Sequence, residues 1–357
     1  MGFLGIEMGL IVACLWGFAD IFATLAAHRL STFRTTMISQ LTSFLGLLLI
    51  GAATFWFSPL FLTLPELLHS MFLGVFTGFC ASLAYLALYR CLKLGPVAIT
   101  GPLTATSPVV TLLLSAFILR QNLTLMQLVL VLISICGVVL ASTNLPELRS
   151  LLSGSKGSLW TQGVRWAIVA TLAFGSLDFG IGASVTVSDW FLPGLCTRFF
   201  TLFFLLLFGS MLYLLRKFYM RKHFISTQQT VPLQLAAGPS MQQTVPLLSA
   251  ITPSMQRTVP LLSVAGPKAK RSLKRPSSKS GLGIGFALLV GIIESAAILV
   301  FSLDTQLVTT GVTAAIASSY GLFVLLFGVL FYRERLALNQ FLGIALFMFS
   351  IVLLTLS

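Results

Sequence analysis

Ten apolar runs, each of about twenty residues, follow one another at 3–27, 35–57, 66–89, 95–118, 123–142, 164–187, 192–215, 282–302, 309–331 and 336–356. A helix rises 1.5 Å per residue, so about twenty residues cross roughly 30 Å of hydrocarbon, and a helix satisfies its own backbone where no water can. A water-soluble core is no alternative. With 57% of the 357 residues hydrophobic and 9% charged, too little polar surface remains to cover one. The expected fold is an all-α integral membrane protein of ten transmembrane helices, with the lipid bilayer of the plasma membrane as its first partner.

The net charge of +13 does not mark a nucleic-acid binder, because it is local: from Arg216 to Lys279 there are eleven Lys and Arg and no acid. The segments QQTVPLQLAAGPSM, QQTVPLLSAITPSM and QRTVPLLSVAGPKA repeat there with a 14-residue period from Gln228, followed by KRSLKRPSSKS. Prolines and weak periodicity predict a disordered loop over 216–281. Its basic end at 268–279 is open to two readings, a tolerant duplicated linker or a segment that lies on anionic lipid headgroups. Outside this loop, nine basic residues fall between runs on one side (Arg29, Arg34, Arg90, Lys93, Arg149, Lys156, Arg165, Arg333, Arg335), against Arg120 alone on the other. The positive-inside rule then places the loop in the cytoplasm and both termini outside.

Chemistry of the enzymatic kind finds no support. HExxH, GxSxG and the phosphate-binding GxxxxGK[ST] are all missing, the five cysteines are scattered, and His28, His69 and His223 sit at run ends or in a loop. No metal or other cofactor is expected, and transport, if that is the activity, would draw on a gradient.

The chain repeats itself. Shifting by 213 positions brings Gln340 onto Gln127, Leu336 onto Leu123, Thr313 onto Thr100 and Gly291 onto Gly78. A shift of 158 near the starts brings Gly175 onto Gly17, Asp178 onto Asp20 and Arg198 onto Gln40. The halves are 3–142 and 164–356, joined by 143–163, with 216–281 inserted in the second. Five helices per copy is an odd number, so the second copy enters the membrane from the opposite side. Inverted five-helix repeats follow, an arrangement that lets two halves exchange inward-open and outward-open shapes around a central site.

KLGPVAITGPLTATSPVVTLLLSAFILRQNLTLMQLVLVLISICGVVLAS at 93–142, its echo at 307–356 through FYRERLALNQFLG, and the WG pair in the first run resemble the EamA family of the drug/metabolite transporter superfamily. The resemblance covers 5–142 and 163–356 without the insertion. It implies ten helices and export of small metabolites or drugs, and members are usually drawn with both termini in the cytoplasm, against the charge count above. One departure concerns the acid after the fourth span, present as Glu334 in the second copy but replaced by Gln121 in the first.

Three acids stand well inside runs: Asp20 in LWGFAD, Asp178 in AFGSLD and Glu294 in VGIIESAAIL. A carboxylate there costs several kcal/mol unless paired, hydrated or protonated. Asp20 falls roughly 7 Å past the middle of its run at 1.5 Å per residue, and Asp178 does so in an oppositely directed helix. The pair reads as gates or proton relays toward opposite faces, or as structural contacts to neighbouring hydroxyls. Glu294 aligns with Ala81 and reads as a one-sided substrate or proton site, or as a silent protonated acid.

Thr100, Thr104, Ser107 and Thr111 form a hydroxyl stripe on the fourth span, where Pro102 and Pro108 free carbonyls, and Thr313 and Tyr320 are their counterparts in the ninth. Trp16, Tyr85, Tyr89 and Tyr320 can stack a substrate, and Arg198 holds an anionic one, snorkels to the interface or pairs with an acid. The function expected is a secondary carrier exporting a small, aromatic or amphipathic metabolite through a cavity between spans 1, 3, 4, 6, 8 and 9, with a proton as a candidate coupling ion. The rival is a membrane scaffold or sensor that recruits a partner through the basic loop.

Overall fold

A computed structural model describes residues 2–57, 63–94, 97–118, 124–142, 159–229, 278–307, 310–331 and 337–356. The tandem repeats, the basic stretch before Ser278, most of the 143–163 connection, and Arg120, Gln121 and Glu334 lie outside these residues. Among the described residues every element is a helix: α1 Gly2–Arg29, α2 Thr32–Phe57, α3 Leu64–Leu94, α4 Val97–Thr104, α5 Ser107–Ile118, α6 Leu125–Ser142, α7 Leu159–Val185, α8 Phe191–Gln229, α9 Ser278–Leu307, α10 Thr310–Ala317, α11 Tyr320–Phe331 and α12 Leu338–Leu356. Among the described residues six stretches, in α1, α2, α3, α7, α8 and α9, are long and apolar enough to cross a membrane.

Local chemistry sets several ends. The Thr63 amide donates to Glu66 Oε2 at 3.4 Å, closing the start of α3 in the manner of a capping box, and the Ala337 amide donates to Gln340 Oε1 at 2.9 Å before α12. His28 and Arg29 occupy the last turn of α1, where positive charge suits the dipole. Pro193 sits in the first turn of α8, where its missing N–H leaves no helical bond unmade.

The radial distribution is that of a protein surrounded by lipid. Alanines fill the buried face of α1 (Ala13, Ala19, Ala23, Ala26, Ala27) and of α3 (Ala81, Ala84, Ala87), while large side chains such as Leu49, Phe72 and Phe117 point outward at 72%, 78% and 81% exposure. In lipid, helices gain by close approach and by interhelical hydrogen bonds rather than by hiding apolar surface. Thr77 and Thr197 share a 2.7 Å bond between α3 and α8, and Thr111 donates to the Gly175 carbonyl at 3.1 Å.

The fourth and ninth spans are each broken, and at matching positions. The Ala105 amide still bonds the Gly101 carbonyl, but Thr106 turns to Leu103; 213 residues later Ser318 bonds Ala314 and Ser319 turns to Ile316. In both copies the hydroxyl of the second residue takes the same carbonyl at 2.7 Å. The sequence reading assigned the local change in span four to its prolines, yet the ninth span has none there. What the two breaks share is a Thr or Ser whose hydroxyl and amide both turn to the i−3 carbonyl. The hydroxyl stripe is therefore split between α4 and α5.

Packing follows the repeat. Helix α1 lies on α9 and α3 on α7, α6 lies on α12, and the broken spans cross so that α4 meets α11 and α5 meets α10. Gly17 abuts Phe323 while its counterpart Gly175 abuts Val110, and positions 323 and 110 are themselves 213 apart.

From Ser210 to Gln229 the described residues fall in a unit of their own and are helical. The loop boundary of 216 expected from the sequence is thus corrected: 216–229 continue α8, and 278–281 already belong to α9. The helical potential of this polar segment, with no proline before 232, outweighed its charge.

Candidate functional site

A cavity of about 30 Å³ lies where the two halves meet, and its lining comes from the first, third, fourth, sixth, eighth and ninth apolar runs. Much of the lining is made of equivalent positions. Trp16 and Phe174 are one such pair, Asp20 and Asp178 a second, Ser107 and Tyr320 a third, with Tyr85, Leu88 and Glu294 completing the wall. Asp20 and Asp178 therefore open onto one cavity rather than onto two separated gates. Neither carboxylate has an ion-pair or hydrogen-bond partner among the described residues, although each residue is only 5% exposed.

Two edge-to-face aromatic pairs build the apolar part. Trp16 and Tyr320 have ring centroids 6.1 Å apart at 84°, and Tyr85 and Phe174 are 5.2 Å apart at 83°. Trp16 also leans on Phe301 at 5.4 Å. The Tyr320 hydroxyl donates to Thr104 Oγ1 at 3.4 Å, tying α11 across the fourth-span break.

Beside the cavity is a buried polar knot. Arg198 Nη2 approaches Glu294 Oε2 at 2.6 Å and Tyr85 Oη at 3.1 Å, Nη1 donates to Gln40 Oε1, and the Tyr85 hydroxyl donates to the same Glu294 oxygen at 2.5 Å. The guanidinium also lies 5.1 Å from the Tyr85 ring centroid. Arg198 and Gln40 are equivalent positions, so they meet where the internal axis passes, and the asymmetric Glu294 neutralises the charge there. Of the readings open for Arg198 the structure shows the pairing with an acid, and Glu294, read as a substrate or proton site or as a silent protonated acid, is the partner in that pair. Thr100 is buried on α4 and Thr313 on α10, and neither lines the cavity.

Sequence reasoning missed Phe174, Gln40 and Asp304. The 158-residue shift from Trp16 points to Phe174, and the same shift links Gln40 to Arg198. Asp304 is fully buried because α9 runs on to Leu307, beyond the apolar run's end at 302, so it joins the three acids counted inside spans. Among the described residues no cluster of three His, Cys, Asp or Glu is disposed to hold a metal.

The model of the EamA-like transporter family matches residues 3–143 and 236–356, well over half of the chain. The chain belongs to the EamA-like transporter family. An uncharacterized protein of Methanocaldococcus jannaschii is 26% identical over 140 residues, which are 96% of that protein and 39% of this chain. That relative is about as long as one half of this EamA-like protein. A solved crystal structure shares the fold with a TM-score of 0.53 at 14% identity, over 99% of this chain and 96% of that one. At that identity the likeness concerns the fold alone.

Proposed function

We propose that this EamA-like protein is a secondary carrier that exports small aromatic or amphipathic solutes by alternating access, with its ten spans acting as two inverted five-helix repeats. The observation that carries the reading is the cavity built from equivalent positions of both halves, 16 with 174, 20 with 178 and 107 with 320. A site made this way is what two exchanging halves would enclose between them.

Its size supports an occluded conformation. A water molecule needs roughly 10–15 Å³ of such space, and ligand pockets typically run to about 300–1,000 Å³. At about 30 Å³ the cavity holds a couple of waters, so an organic solute enters only when the halves move apart. Unpaired Asp20 and Asp178 give a proton a place on the path, which makes a proton gradient the proposed drive.

The test compares solutes in the medium of cells expressing wild type, Asp20→Asn/Asp178→Asn or an empty vector. Enrichment of a compound outside cells with wild type alone, lowered at least tenfold in the double variant at equal membrane abundance, is expected. Identical media across the three lines under several growth conditions would remove the carrier reading.

A further inference from the structure

The chemistry of the wall says which class of solute the carrier takes, an inference that rests on the carrier reading above. Among the described residues Arg198 is the one cation bonded to the cavity wall, and it is taken: Glu294, Gln40 and Tyr85 occupy its terminal nitrogens, and it is 1% exposed. An anionic solute would have to break that pair to find a positive partner. The two remaining acids on the wall, Asp20 and Asp178, have no counter-ion among the described residues. Two carboxyls held apart from water with no positive partner hold a proton, or give it up to a cation that takes its place.

The rest of the wall fits a particular kind of cation. Four rings, Trp16, Tyr85, Phe174 and Tyr320, stand around the carboxylates in two edge-to-face pairs. An edge-to-face pair presents a ring face as well as an edge, and ring faces attract ammonium groups as well as aromatic and methyl surface. A bare metal ion would instead need converging oxygen or nitrogen ligands, and the described acids form no such cluster.

We infer that the cavity receives a small organic cation, an ammonium group carried on an aromatic or methylated frame, with its charge between the Asp20 and Asp178 carboxylates and its apolar body against the rings of Trp16, Tyr85, Phe174 and Tyr320. The charge sets the class and the rings admit a range of frames within it. Glu294 has no part in holding the cation, since its charge is spent on Arg198.

Three probes of one frame separate the possibilities: benzyltrimethylammonium, benzyl alcohol and phenylacetate. Binding of each to the purified full-length protein is measured by isothermal titration, and movement of labelled benzyltrimethylammonium and phenylacetate is measured in proteoliposomes. The expected result is benzyltrimethylammonium binding at least tenfold tighter than the other two, weakened at least tenfold in Asp20→Asn/Asp178→Asn and severalfold in Phe174→Leu, a variant that leaves both acids in place should the double variant fail to fold. Equal or tighter binding of benzyl alcohol or phenylacetate, or no binding of any probe, overturns the cation class. Binding of the cation without movement in proteoliposomes keeps the cation site and sinks the carrier, whereas movement of phenylacetate alone keeps the carrier and sinks the cation.

Discussion

At the scale of the residue, the Arg198–Glu294 pair decides how well the interior tolerates change. A buried pair is worth little over an apolar replacement, but one charge left without its partner costs about 3–5 kcal/mol. Arg198→Met and Glu294→Met should each lower the thermal midpoint of the full-length protein in detergent by several degrees, and Arg198→Met/Glu294→Met should restore most of that loss. Additive losses in the double variant would mean that the two side chains are not each other's partner. The acids and the arginine were legible as residues because charge inside an apolar run is conspicuous. Their grouping was not: Asp20 and Asp178 looked like separate gates because a position along a helix says nothing of the direction in which its side chain points. Phe174 passed unnoticed for a different reason, since one phenylalanine among 30 carries no signal until it is aligned with Trp16.

At the scale of the element, glycine positions show where helices touch. On α9, a Cβ at Gly291 would meet the Ser39 carbonyl at 2.4 Å and Thr42 Cβ at 2.6 Å, while one at Gly285 would meet nothing within 4 Å. The counterpart contact is at Gly78, where a Cβ would fall 2.4 Å from Phe200 Cβ and 2.7 Å from its carbonyl carbon. Positions 42 and 200 are again 158 apart, so the same seam is built twice. Backbone cannot yield as a side-chain tip can, and overpacking of this kind costs about 1–3 kcal/mol. Gly291→Ala and Gly78→Ala should therefore lower the thermal midpoint and the yield of monodisperse protein, whereas Gly285→Ala should leave both at or above wild type. An equal effect at 285 and 291 would contradict the α2–α9 seam. That the chain is built of long apolar helices was readable from apolar length alone. The breaks at 105–106 and 318–319 were half readable, because Pro108 pointed to one and the Thr106 and Ser319 hydroxyls that both share looked like ordinary polar residues of a packed span.

At the scale of the whole molecule, duplication explains the packing. Each half supplies a first helix to the third helix of the other, α1 to α9 and α3 to α7, so neither half closes its own interior and the central cavity exists only between them. The sequence offsets carried that duplication, but they did not carry the exchange of partners, which depends on how two copies approach. They also leave the direction of insertion to the charges. Nine basic residues against one set the expectation that the segments after α1, α3, α6 and α11 face the cytoplasm, even without the inserted loop. Family habit argues for the reverse, yet orientation is a property of the flanking Lys and Arg acting during insertion, and the proposed carrier of two inverted halves would keep its site in either orientation. A reporter fused after α12 separates the two: charge control predicts active alkaline phosphatase and a dark green fluorescent protein there, because that end would lie outside. Bright fluorescence with silent phosphatase would overturn the charge reading, and moving Arg29 and Arg34 to the opposite flank should then change nothing, whereas under charge control the same move should produce a mixed population of reporters.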